Sequence, residues 1–109
     1  MKGTFLGEFQ ELVLLAILAL DEEAYGVSIQ QKIKAVAGRD ITRGALHSAL
    51  SRLEEKGFLK SAFGAATKER GGRRKRLYSV TAAGQNALGE AKYVREAFRS
   101  EIKPSFNFG

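Results

Sequence analysis

A nine-residue apolar run, LVLLAILAL from Leu12 to Leu20, has to be buried on nearly every side. Glu8, Gln10 and Glu11 precede it, and Asp21, Glu22 and Glu23 follow. At about nine residues it is far shorter than the roughly 20 that cross a bilayer, and its acidic flank is opposite in sign to a secretory n-region. No membrane segment or signal peptide is expected. Read as a helix from Leu6 to Leu20, the stretch places Phe9, Val13, Ala16 and Leu20 on one face and Leu14 and Leu18 on another. A helix that is apolar all round needs cover on more than one side. A chain of 109 residues forms one domain with its own core, so the second cover is expected from another subunit.

The charge is unevenly distributed. The net charge is +6, and the basic excess belongs to residues 41–80. Such asymmetry is the footprint of a surface that attracts polyanions. The chain has no cysteine, which removes disulfides, thiol nucleophiles and Cys-based zinc sites. A reducing, cytoplasmic setting is expected.

The element order follows from periodicity and caps. Asp21 to Glu23 make an acidic turn before a second helix, Ala24 to Ala37, with Ile29, Ile33 and Val36 as its inward stripe and Gly38 as its stop. Thr42 caps a third helix running to about Lys56. Leu46, Leu50 and Leu53 face its core side, and Gly44, Ser48, Ser51 and Glu55 its outer side, flanked by Arg43, His47 and Arg52. Phe58 to Ala62 and Leu77 to Val80 read as two strands of an antiparallel hairpin around the basic stretch KERGGRRKR. Thr81 caps a last helix, Ala82 to Pro104, with Ala87, Ala91, Val94, Phe98 and Ile102 as its stripe. At about 35 Å it is longer than the domain needs, so its distal half is expected to pack on a second chain.

The resulting fold class is mainly α with a small β-hairpin: a winged helix-turn-helix over residues 1–80 and a long C-terminal dimerisation helix and tail over 81–109, together one compact domain. A helix with small polar outer residues can enter a major groove while a basic hairpin lies along the neighbouring backbone. Three stretches carry a family resemblance: GEFQELVLLAILALDEEAYGVSI, GALHSALSRLEEKGFLKS and GGRRKRLYSVTAAGQNAL. In that order, over about Leu6 to Leu88, they resemble the successive motifs of the PadR family of bacterial transcriptional regulators. The resemblance implies a homodimeric repressor whose C-terminal helix crosses onto its partner and which a small molecule or stress signal releases from DNA. The chain departs from the family pattern at His47-Ser48, where Tyr-Pro is common, and at Tyr25-Gly26, where Gly-Tyr is frequent.

The expected recognition-helix contacts are Thr42, Arg43, Gly44, His47, Ser48, Ser51 and Arg52, and the expected wing contacts are Lys68, Arg70, Arg73, Arg74, Lys75 and Arg76. Gly71 and Gly72 read as turn residues. Arg43 can reach guanine N7 and O6 with both arms of its fork. Tyr25 is a candidate phosphate contact. Leu14, Leu18, Ala91, Val94, Phe98 and Ile102 are the expected dimer residues. A plain interface or frayed tail fits Phe98, Phe106 and Phe108 better than a ligand cavity. The expected partners are double-stranded DNA with a pseudopalindromic operator and a second copy of the chain, to which the family resemblance adds a small-molecule effector; no cofactor is expected.

An enzyme is not expected. The chain lacks GxxxxGK[ST], GxSxG and HExxH, and adjacent Glu54 and Glu55 point about 100° apart on a helix, which is no acid/base pair. His47 is the lone histidine, so no metal site is expected. The competing class is a winged-helix module whose basic wing meets an acidic protein. An RNA binder would interleave aromatics with the basic run, which this chain does not do.

Overall fold

The structure, a computed structural model, describes residues 6–66 and 74–105. Helix α1 spans Glu8–Leu20 and leads through a 3-10 turn at Asp21–Glu23 into α2, Gly26–Ala37. Helix α3 spans Arg43–Glu55, the strands are β1 (Leu59–Ala66) and β2 (Arg74–Val80), and α4 runs Ala82–Ser100. The two strands pair antiparallel, with Leu59 opposite Val80 and Phe63 opposite Arg76. This is the predicted mainly helical, winged helix-turn-helix class.

The apolar run takes the centre of the molecule. Helix α1 packs against α2, α3, α4 and β2, and its Val13, Leu14 and Ile17 are among the most deeply buried side chains, with Ile29 of α2 and Leu53 of α3. Full burial of each such side chain contributes about 1.5–3 kcal/mol. Leu46 and Leu50 join from α3, Phe58, Leu59 and Tyr78 from the hairpin, and Ala87 from α4.

Three details hold the hairpin at the right place. Gly57 turns the chain out of α3 at φ 80°, a backbone region that side-chain-bearing residues rarely occupy. Thr81 then clasps that turn: its hydroxyl donates to the Gly57 carbonyl at 2.6 Å, its backbone N–H to the Phe58 carbonyl at 3.0 Å, and its Oγ accepts the Gly84 N–H at 3.1 Å. On the far edge of β2, the Tyr78 N–H donates to the Ala24 carbonyl at 2.8 Å, tying the wing to the entrance of α2.

Several expectations need correction. Leu14 was expected on an outer, subunit-facing side and is instead fully buried in the protomer, whereas Leu15 and Leu18 are exposed. An all-apolar helix has no periodic contrast to rank its faces, so neighbours decide which arc is covered. Val36 was expected inward and is 79% exposed, because the last turn of α2, Lys34 to Ala37, runs past the core. The strands are longer than Phe58–Ala62 and Leu77–Val80 suggested; a strand start made of Arg74, Lys75 and Arg76 carries no hydrophobic alternation to betray it. Helix α1 begins at Glu8 rather than Leu6, and α2 at Gly26 rather than Ala24. Helix α4 stops at Ser100 instead of Pro104, ahead of a proline that disfavours helical backbone in the residue before it.

From Lys92 to Ser100, every residue of α4 is exposed. The molecule measures 57 × 30 × 22 Å, with a radius of gyration of 16.1 Å, against about 13 Å for a compact chain of roughly 100 residues.

Candidate nucleic-acid interface

Helix α3 is anchored at its first turn. The Thr42 Oγ accepts the Ala45 N–H at 3.0 Å, and the Gln30 side-chain amide donates to the Ile41 carbonyl at 2.7 Å, fixing α2 to the residue before that cap. With Leu46, Ala49, Leu50 and Leu53 inside, the helix turns Arg43, Gly44, His47, Ser48, Ser51 and Arg52 to solvent, as does Thr42 before it. The exposed face is therefore the small, polar, partly basic one.

An open cleft of about 1090 Å³ lies between the start of α2, the first half of α3 and β2. Arg43, Gly44 and His47 form one wall, Arg74, Lys75 and Arg76 the opposite wall, and Tyr25, Gly26 and Val27 one end. Leu46, Leu50 and Tyr78 also line it. No carboxylate is among the described residues that line it, so four cationic side chains face the same space; Glu54 reaches Arg76 only through the Ser61 hydroxyl. The first turn of α3, beside Arg43, adds the positive end of a helix dipole. Ser48, Ser51 and Arg52 lie outside the cleft, further along the exposed face of α3. Lys68, Arg70 and Arg73, with Gly71 and Gly72, lie outside the described residues, as do Phe106 and Phe108.

Tyr25, the candidate phosphate contact, has the Lys75 ammonium 4.2 Å from its ring centroid, a cation–π distance. Ser28 sets the backbone there, its Oγ accepting the Tyr25 N–H at 3.0 Å. Three residues to which the sequence assigns no part in DNA binding sit beside the wing arginines: Glu54, Ser61 and Phe63. The alternation Leu59, Ser61, Phe63 along one face of β1 was the available signal, but the predicted strand stopped at Ala62. Burial pushes the Tyr78 phenol above its ordinary value near 10; the nearby Arg76 opposes that shift and Glu54 adds to it.

A capped helix with an exposed polar face, fixed to the helix before it and followed by a basic two-stranded hairpin, defines a winged helix-turn-helix protein of the nucleic-acid-binding type. The chain belongs to the PadR-like family of transcriptional regulators, whose family model matches residues 14–90. That family is one of regulators rather than enzymes. Among solved structures, the chain is similar to a PadR-like transcription factor from Bacteroides fragilis, at 26% identity over 84% of each chain and a TM-score of 0.69. It is also similar to a PadR family regulator from Clostridium difficile R20291, at 25% identity over 84% of this chain and 92% of that one, with a TM-score of 0.63. The Orc1 protein of Aeropyrum pernix, in a structure with DNA, matches 87% of this chain with 27% of its own, at 26% identity and a TM-score of 0.64. No curated protein sequence matches significantly. Among the described residues, no three metal-ligating side chains cluster and no helix is long and apolar enough to cross a membrane.

Proposed function

We propose that the protein is a homodimeric, cytoplasmic repressor that binds a pseudopalindromic operator in double-stranded DNA. The observation that carries this reading is the cleft whose two walls, α3 and β2, bring Arg43, Arg74, Lys75 and Arg76 to one space that no described carboxylate lines. In this reading α3 enters a major groove, with Arg43, His47 and Ser48 choosing bases, and the wing cations neutralise phosphates on the flanking backbone. Thr42, Gly44, Ser51, Arg52 and Tyr25 contribute secondary contacts. The similarity to the Aeropyrum pernix protein, whose structure contains DNA, supports DNA as the partner. Membership of a regulator family supports a role in transcription; repression relieved by a small molecule or stress signal is what the motif resemblance adds to the proposal. Exposed Leu18, Val94, Phe98 and Ile102, with half-buried Ala91, support a second copy as the cover of α1 and α4.

Selection from random duplexes followed by gel retardation over a salt series tests it. With Arg74, Lys75 and Arg76 of each protomer meeting phosphate, the log–log salt slope should be at least about −5 for a dimer, at about −0.9 per phosphate. Arg43→Ala should relax discrimination at one base position of each half-site while leaving most affinity for generic duplex. Absence of binding to any duplex, or binding indifferent to salt, would sink the reading; capture of an acidic protein with no preferred duplex would replace it with an interaction module.

A further inference from the structure

The wing carries an organised feature that phosphate attraction alone does not need. Phe63 on β1 is 55% exposed and stands opposite Arg76 in the ladder. The Arg76 guanidinium lies 5.3 Å from its ring centroid, and that of Arg74 lies 5.6 Å from the same ring. Both distances are within the roughly 6 Å over which an aromatic face attracts a cation.

Two guanidiniums repel one another, and something must gather them. A bulge does part of this: between the pairs Phe63–Arg76 and Ala66–Arg74, two residues of β1 oppose the single Lys75 of β2. Bulges bend a strand and re-aim its side chains, and here the Arg74 Nε donates to the bulged Gly64 carbonyl at 3.3 Å. A hydrogen-bond chain does the rest. The Arg76 Nε donates to the Ser61 Oγ at 3.0 Å, and the Ser61 hydroxyl donates to Glu54 Oε2 at 2.9 Å. Glu54 is in the last turn of α3, so the chain runs from the recognition helix to the wing.

We propose that Phe63 is a positioning residue for DNA binding: its ring, backed by the Glu54–Ser61 hydrogen bond, holds Arg74 and Arg76 together in advance on the edge that meets the duplex backbone. This rests on the DNA-binding reading above. Phe63 makes no charge contact itself, and its role is to spare the two arginines the ordering cost they would otherwise bear on binding.

The test uses the full-length chain and a mixed-sequence duplex, with affinity followed by fluorescence anisotropy across a salt series. Phe63→Leu keeps an apolar side chain and every charge, so the salt slope should not change. Affinity should fall about two- to fivefold for each guanidinium released, the range expected of exposed cation–π pairs, and Phe63→Tyr should restore it. In an Arg74→Ala/Arg76→Ala background the Phe63→Leu loss should vanish, since the ring then has nothing to hold. Ser61→Ala gives an independent check: a smaller loss with an unchanged slope, absent when Arg76 is already alanine. Parent-like binding by Phe63→Leu, or an equal loss in the double-alanine background, overturns this inference alone. Failure of the parent to bind duplex overturns the DNA-binding reading and this inference with it.

Discussion

Tyr78 shows how one side chain serves both the core and the wing. Its ring is buried beneath the hairpin, and burial raises its phenol while Arg76 and Glu54 act on it from opposite signs. A phenol whose folded value is raised contributes stability below about pH 10, the unfolded value, and that contribution fades as pH climbs through the folded value. Thermal unfolding of the parent and Tyr78→Phe should therefore diverge with pH: the parent should lose ground to the variant above about pH 10, and a gap constant from pH 7 to 11 would contradict the assignment. Single residues were unevenly legible in the sequence. The exposure of Arg43, His47 and Ser48 on α3 was readable because a capped helix with three core leucines leaves only one face for them. The placement of Phe63, Ser61 and Glu54 around the wing arginines was not, because it depends on strand register and on a bulge, and neither has a sequence period.

Elements were more legible than residues, since caps and stops act locally. Thr42 and Thr81 both cap as expected, each accepting an N–H of the first turn. What the sequence could not convey was how closely α4 approaches the hairpin. A Cβ at Gly84 would lie 2.4 Å from the Phe58 carbonyl oxygen and 2.7 Å from Val80 Cγ1, while Gly89, one turn and a half further on, faces open space. The two glycines of one helix should therefore respond in opposite directions to the same change. Gly84→Ala should cost about 1–3 kcal/mol by overpacking, lowering the melting temperature by several degrees, and Gly89→Ala should stabilise by about 0.5–1 kcal/mol. Equal effects at both sites in a denaturant melt would show that the approach is looser than the structure has it.

For the molecule as a whole, the length of 57 Å comes with an α4 whose second half touches little of its own chain. Phe98 is 71% exposed there, and Leu18 of α1 is 44% exposed beside a groove lined by Leu15, Leu88 and Lys92. Helix α4 is aligned over α1 by an ion pair between Arg95 and Glu11. Light scattering at micromolar concentration should give twice the 11.9 kDa chain mass, and Leu18→Glu with Phe98→Glu should give the monomer with its helical signal intact; a monomeric parent would refute the dimer. That the distal half of α4 would outrun its own domain was visible from its expected length, whereas which arc of α1 remained outside was not.

Thr81 joins the end of α3, the base of the hairpin and the start of α4 through one hydroxyl and one backbone N–H. The wing is thus not a detachable module bounded by the helix ends. A chimaera that imports a relative's hairpin should be spliced inside Leu59 and Val80, keeping Gly57, Phe58 and Thr81 from one parent. Junctions placed at Leu59 and Ala82, which take Thr81 from one parent and Gly57 and Phe58 from the other, would mate two halves of a buckle cut from different moulds.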